Sequence, residues 1–273
     1  MLPSLNIVLQ YLTDLFNSGL AYSTINIHRS MLSSTLGPVE GNKIGEHPLV
    51  IQLLKGCFNL KPPQPRYKSL WDPDVVLRYF DSLGANVTLS LVALSRKLAM
   101  LLALATVARV SEICSISFSS IKFSLTAVTF SFSKLKKAQK SGPLQSCVLS
   151  RFDGLCCPVA CLESYIAATN DWRVANSDSL FLSVKQPHTP VGSSTLGRWI
   201  KLCLSDAGLD PGAFSAHSTR GAAASKAVKQ GVPIESVLLS ANWSKESTFR
   251  RFYFRELEPV PLATVVLTQT SFD

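Results

Sequence analysis

The chain has 273 residues, 47% of them hydrophobic, which is enough for one large or two modest domains with a sizeable core. A formal net charge of +9 and a sequence pI of about 9.3 favour a polyanionic partner, either nucleic acid or an anionic membrane surface. The longest apolar run, 98–108, lies between Arg96-Lys97 and Arg109 and is too short to span a bilayer, and the N-terminus lacks the basic region of a signal peptide.

The first elements read as helices. Leu5, Val8, Leu9, Leu12, Leu15 and Phe16 fall at helical spacing over 4–16, and Gly19 ends the pattern. Ser23 and Thr24 are expected to cap a second helix carrying Ile25, Ile27, Met31 and Leu32. After the Gly37-Pro38 break, 48–57 supplies a third. The segment 61–69, with three prolines in four positions, is an extended basic linker. Its Lys61, Arg66 and Lys68 suit a strap along a phosphate backbone as well as a plain exposed spacer. Two domains joined by a linker follow from this reading: a helical piece at 1–60, the linker at 61–69, and a larger domain at 70–273.

Asp72-Pro73 opens a helix over 74–83. The stretch 88–106 is apolar on most faces and should be a central helix, with Arg109 and Glu112 one turn apart just beyond it. Between 118 and 150 the period changes. Val128, Phe130 and Phe132 alternate with Ala127, Thr129, Ser131 and Ser133, a strand pattern, and 144–149 can return as its partner. The turn between them carries Lys134, Lys136, Lys137 and Lys140 and no acid. Further helices are expected at 158–169, at 194–207 with Trp199 and Leu202 inward, at 216–229, and from Pro233 to about Ser240. A short strand is expected over 179–183. A last helix, capped by Ser244, carries Arg250, Arg251 and Tyr253, and an apolar tail spans 259–268. The fold class is therefore mainly α with a small antiparallel β-sheet.

Seven cysteines raise the question of a metal or a disulfide. Cys156, Cys157 and Cys161 cluster without zinc-site spacing and without a nearby His, and Cys57, Cys114, Cys147 and Cys203 are scattered in apolar surroundings. An odd count without a secretory signal reads as reduced packing residues in an intracellular protein. No metal and no cofactor are expected.

The segment 215–225 holds the densest chemistry. His217 and Arg220 are three apart, so on a helix they share a face. A guanidinium forks onto two phosphate oxygens, and an imidazole donates, accepts or moves a proton. Alone, the segment also fits an ordinary helix with a solvated Arg and a core-edge His.

Arg109, the lysine hairpin, His217 with Arg220, Trp243 and Tyr253, in that order, resemble the tyrosine recombinase (phage integrase) family. The Ser-Thr inside His-x-x-Arg and the Ser-Thr-Phe before the tyrosine resemble the recombinases of DIRS-type (Ngaro-like) retrotransposons of eukaryotes. The likeness covers roughly residues 70 to 255. It implies a recombinase catalytic domain preceded by part of a helical DNA-gripping domain. It also implies cleavage and rejoining of double-stranded DNA through a 3′-phosphotyrosine, by a homo-tetramer in the nucleus, without metal. The roles it implies are these. Arg109 and Arg220 clamp the phosphate, with Glu112 supporting Arg109. His217 takes the proton of the nucleophile Tyr253, and Trp243 packs or donates its indole N–H. Lys137 protonates the leaving oxygen, with Lys136 and Lys140 as alternatives. Lys61, Arg66, Lys68, Lys134, Lys136, Lys140, Arg250 and Arg251 are the expected DNA-binding set. Two departures stand out: Val107 replaces a usual glycine, and Trp243 stands ten positions before Tyr253 rather than nine. The rival readings are an idle, domesticated DNA-binding protein, a type IB topoisomerase, and a basic helical protein that binds protein partners.

Overall fold

A computed structural model describes residues 4–63, 69–135, 142–173, 178–243 and 246–254, without the side chains of Thr248, Arg251 and Phe252. The chain divides into two units, Met1–Arg66 and Tyr67–Asp273.

The first unit holds α1 (Leu5–Asn17), α2 (Tyr22–Thr35) and α3 (Pro48–Leu60). Their apolar stripes meet in a small core of Val8, Leu12, Ile25, Ile44, Val50 and Leu54. Gly19 takes φ +86° after α1, a left-handed turn that only glycine enters without cost. Ser23 and Thr24 do not cap α2. The backbone leaves the extended conformation at Ala21, two residues earlier than the first of them would require, so both lie inside the first turn. α3 starts with proline at its first position, and the His47 ring accepts the Leu49 N–H at 3.3 Å.

In the second unit Asp72 caps α4 (Pro73–Ser82) by accepting the Asp74 N–H at 3.0 Å. The central helix is α5 (Leu91–Thr106), which starts at the Ser90 cap, after a short 3₁₀ turn over Asn86–Thr88. Leu94, Leu98, Leu101 and Leu102 on it are all buried, each worth about 1.5–3 kcal/mol when withdrawn from water. α7 (Pro158–Thr169) and α8 (Ser193–Asp206) pack on α5, as does α9 (Ser218–Lys229). Short α6 (Val110–Ile113) follows α5. α10 (Ile234–Ala241) and α11 (Glu246–Phe252) close the described chain.

The sheet has three antiparallel strands in the order β1 (Lys122–Phe123), β2 (Ala127–Ser131), β3 (Ser146–Ser150). Phe130 pairs with Cys147 and Val128 with Leu149, and the alternation in β2 turns Val128 and Phe130 into the core. The sequence pattern did not reveal β1, whose two residues are exposed. Residues 179–183 form two single bridges, Ser117 to Ser179 and Leu182 to Pro190, rather than a strand. Leu202 is only half-buried; the inward face of α8 is Leu196, Trp199, Ile200, Cys203 and Leu204. No described helix is long and apolar enough to cross a membrane.

Candidate active site

The site is assembled where α5 ends and α9 begins. Val107 closes α5 in the left-handed conformation, φ +52°. A β-branched residue is strained there, and the strain persists because its side chain is buried against Ala224, Val237 and Trp243. The turn sends the chain into Arg109, the cap of α6. Glu112 then closes back on Arg109 with both oxygens: Oε2 accepts the Arg109 backbone N–H at 2.7 Å and Oε1 accepts its guanidinium at 2.6 Å. The Arg109 side chain stays about one-third exposed. Gly197 on α8 sits against Val110 and Ala216, holding this turn beside the start of α9.

Arg220 lies one turn into α9 and is 1% exposed. Its Nε donates to the Val107 carbonyl at 2.8 Å, and a second nitrogen donates to the Ala241 carbonyl. Its third nitrogen, Nη1, has no partner among the described residues. The guanidinium lies 5.0 Å from the Trp243 ring centroid and 5.6 Å from that of Tyr253, within cation–π range. Burial, and then the Arg109 charge, pull its pKa down to about 10, against smaller opposing effects of Tyr253 and Glu112. It is still a cation at neutral pH.

Tyr253 is held from four sides. Its hydroxyl is 3.1 Å from His217 Nε2. Its ring packs on Trp243, with centroids 4.3 Å apart. Its carbonyl accepts the Ser225 hydroxyl at 3.2 Å. Its Cα and carbonyl lie over Gly221, where any Cβ would stand 3.3 Å from the Tyr253 oxygen. Tyr253 was expected within the last helix, but α11 stops at Phe252. The Phe249 carbonyl accepts from both Tyr253 and Phe254, which turns the chain out of the helix. The Trp243 indole nitrogen is buried without a partner among the described residues. Inside the His-x-x-Arg segment, Ser218 accepts the Trp71 indole N–H at 2.8 Å and so anchors the start of α9.

The structure therefore brings Arg109, Glu112, His217, Arg220, Trp243 and Tyr253 together. Lys137, Lys136, Lys140, Arg66 and Lys68 lie outside the described residues, as does the side chain of Arg251. Lys134 is exposed, and Lys61 donates to the Gly19 carbonyl at 2.8 Å. Arg250 is exposed and pairs with Glu246 at 2.6 Å. The carbonyls of Val107 and Ala241 and the roles of Ser218, Gly221 and Ser225 were not anticipated from sequence. The small residues following Arg220 were the one available signal of a close approach.

A mainly helical domain with a three-stranded antiparallel sheet, built in this order, is the fold of tyrosine recombinase catalytic domains. The model of the phage integrase family matches residues 81–258, and the chain belongs to that family. The XerH site-specific recombinase, in a post-cleavage complex with a palindromic difH substrate, is similar at TM-score 0.62 and 13% identity. The match covers 91% of this chain and 68% of that one. A lambda integrase dimer bound to a COC′ core site is similar at TM-score 0.57 and 17% identity, covering 95% and 68%. The Tn1549 transposon integrase (aa 82–397), in complex with circular intermediate DNA, is similar at TM-score 0.55 and 13% identity, covering 98% and 85%. The chain spans about two thirds of the length of the first two. No curated protein matches it.

Proposed function

We propose that this chain cleaves and rejoins double-stranded DNA through a 3′-phosphotyrosine on Tyr253, as the recombinase of a mobile element. The observation that carries the proposal is the Tyr253 hydroxyl on His217 Nε2, beside a buried guanidinium with one donor unpartnered among the described residues. A phosphodiester resists attack because its oxygens repel the nucleophile and its alkoxide leaves poorly. Arg220 Nη1 and Arg109 supply positive charge to the non-bridging oxygens, and the Trp243 indole is a further donor. His217 takes the phenol proton as the Tyr253 oxygen bonds to phosphorus and the bond to the 5′ oxygen breaks. A hairpin lysine, Lys137 in this reading, returns a proton to that oxygen. The phosphotyrosine conserves the bond energy for rejoining, so the scheme needs no metal.

DNA-bound relatives, one of them a dimer, and the positive charge of the chain support DNA as the partner and assembly on it, which this reading takes as a homo-tetramer on two sites. The nucleus as its place rests only on the resemblance to the recombinases of eukaryotic DIRS-type retrotransposons. The wording around His217 and Tyr253 supports a DIRS-type source. The test is a duplex nicked next to the cleavage position, so that the cut fragment diffuses away and the adduct accumulates. A protein–DNA adduct stable to denaturant is expected, and its absence across candidate element termini would favour an idle DNA-binding protein. Relaxation of any supercoiled plasmid by the monomer would favour a topoisomerase. A binding mode using six to ten phosphates should lose roughly a thousandfold or more in affinity between 50 and 200 mM salt. A nearly flat salt dependence would remove DNA as the partner.

A further inference from the structure

The turn after α10 makes three separate connections in three consecutive residues. The Ala241 carbonyl accepts from Arg220, and the Trp243 ring packs on Tyr253. Between them, Asn242 donates from Nδ2 to Gln145 Oε1 at 2.8 Å, across 97 residues of sequence. Gln145 is the last residue before β3, and its carbonyl accepts the Phe132 N–H at 3.0 Å, the rung at the base of the lysine hairpin. Asn242 takes φ +54°, a left-handed position where a polar side chain is tolerated and glycine is unstrained. The hairpin stem and α10 border a cleft of about 300 Å³ lined by Thr106, Phe132, Gln145, Ser146, Leu239 and Ser240. Close packing does not fill this cleft, so it is the hydrogen bond that fixes one wall relative to the other.

We propose that Gln145 and Asn242 are a positioning pair that fixes the stem of the lysine hairpin to the turn holding Arg220 and Trp243. The inference rests on the phosphotransfer reading above. The pair touches neither phosphate nor leaving group. By holding the β2–β3 stem from which the lysine turn departs, it acts on protonation of the 5′ oxygen. A misplacement of about 1 Å is enough to cost up to a hundredfold in such a step.

Asn242→Gly tests this without disturbing the backbone, because glycine accepts the left-handed conformation and only the amide is removed. Gln145→Ala removes the other half, and Gln145→Glu keeps an oxygen for Asn242 Nδ2. Each protein is assayed on two nicked duplexes, one with the normal bridging 5′ oxygen and one with sulfur there. A thiol has a pKa of about 8.5, so the sulfur leaves without a proton donor. The expected result is cleavage slowed about tenfold in Asn242→Gly and Gln145→Ala on oxygen. On sulfur both should match the parent protein, and Gln145→Glu should match it on both. The double variant should be no slower than either single one, since the two act as one unit. Equal slowing on oxygen and sulfur, or no slowing, would overturn the proposal. Hydrogen exchange at the Phe132 amide provides a readout independent of cleavage: it should quicken in Asn242→Gly, and unchanged exchange overturns the tie. If the parent protein forms no adduct with either duplex, the phosphotransfer reading falls, while exchange at Phe132 still decides whether the pair holds the hairpin.

Discussion

Two cations are buried among the described residues of the second unit, and their surroundings differ. Lys97 on α5 is fully buried in the large core, 5.9 Å from the Phe80 ring centroid, and its Nζ has no partner among the described residues. Arg220 is equally buried, but two of its nitrogens are held by carbonyls, and its neighbours are Tyr253, Trp243 and Arg109. An unpartnered nitrogen is therefore not in itself a mark of chemistry. Around Lys97 stand the Phe80 ring and the thiols of Cys156 and Cys161. Around Arg220 an orphan indole donor, a strained Val107 and a left-handed Asn242 occur together, and the phenol and imidazole are already in contact. Strain and unmet hydrogen bonding persist where the surrounding structure enforces them, and their convergence distinguishes the second region.

Exchanging the two cations for neutral side chains sharpens this contrast. Arg220→Ala should slow adduct formation by roughly a hundredfold or more, if the guanidinium stabilises charge in the transition state. It should also weaken DNA binding, measured by retention at fixed salt. Lys97→Met should leave adduct formation unchanged and raise the thermal midpoint. Replacing an unpaired buried ammonium by a thioether of similar length is worth about 1–3 kcal/mol, or a few degrees in a domain of this size. A lowered midpoint would mean that Lys97 has a polar partner and that the contrast fails.

A smaller effect is expected at Val107. Both Val107→Gly and Val107→Ala remove buried methyl groups, but only alanine keeps the left-handed penalty. Glycine should therefore be the more stable of the two by about 1 kcal/mol, the reverse of their usual order in helices. Urea unfolding of the two variants checks the sign. Smaller still is Ser225→Ala, which removes one hydroxyl bond to the Tyr253 carbonyl and should cost about 1 kcal/mol or less.

The residues brought into the site were legible through the resemblance, in which Arg109, His217 with Arg220, Trp243 and Tyr253 follow in the family's order; the local spacing alone also fitted an ordinary helix. Arg109 with Glu112, and His217 with Arg220, are each one helical turn apart, a spacing that declares a shared face. The lysine turn was visible between two alternating runs. What could not be read was carried by backbone or by distant pairs. The Val107 and Ala241 carbonyls have no side-chain signature, and the Gln145–Asn242 bond joins segments with no common pattern. Val107 was noticed as a departure from a glycine, and the structure shows that the backbone keeps the glycine-like conformation despite the valine. The ten-residue spacing from Trp243 to Tyr253 is accommodated with the phenol on His217, after a helix that ends at Phe252.

The central claim is that Tyr253 is the nucleophile of a site completed by His217 and Arg220. Tyr253→Phe removes only the attacking oxygen and leaves the ring on Trp243, so DNA retention should be unchanged. Incubated with the nicked duplex and denatured, the parent protein should give a covalent adduct that peptide mass spectrometry maps to Tyr253. Tyr253→Phe should give none, while Tyr79→Phe behaves as the parent. An adduct that survives in Tyr253→Phe, or that maps to another residue, would contradict the account.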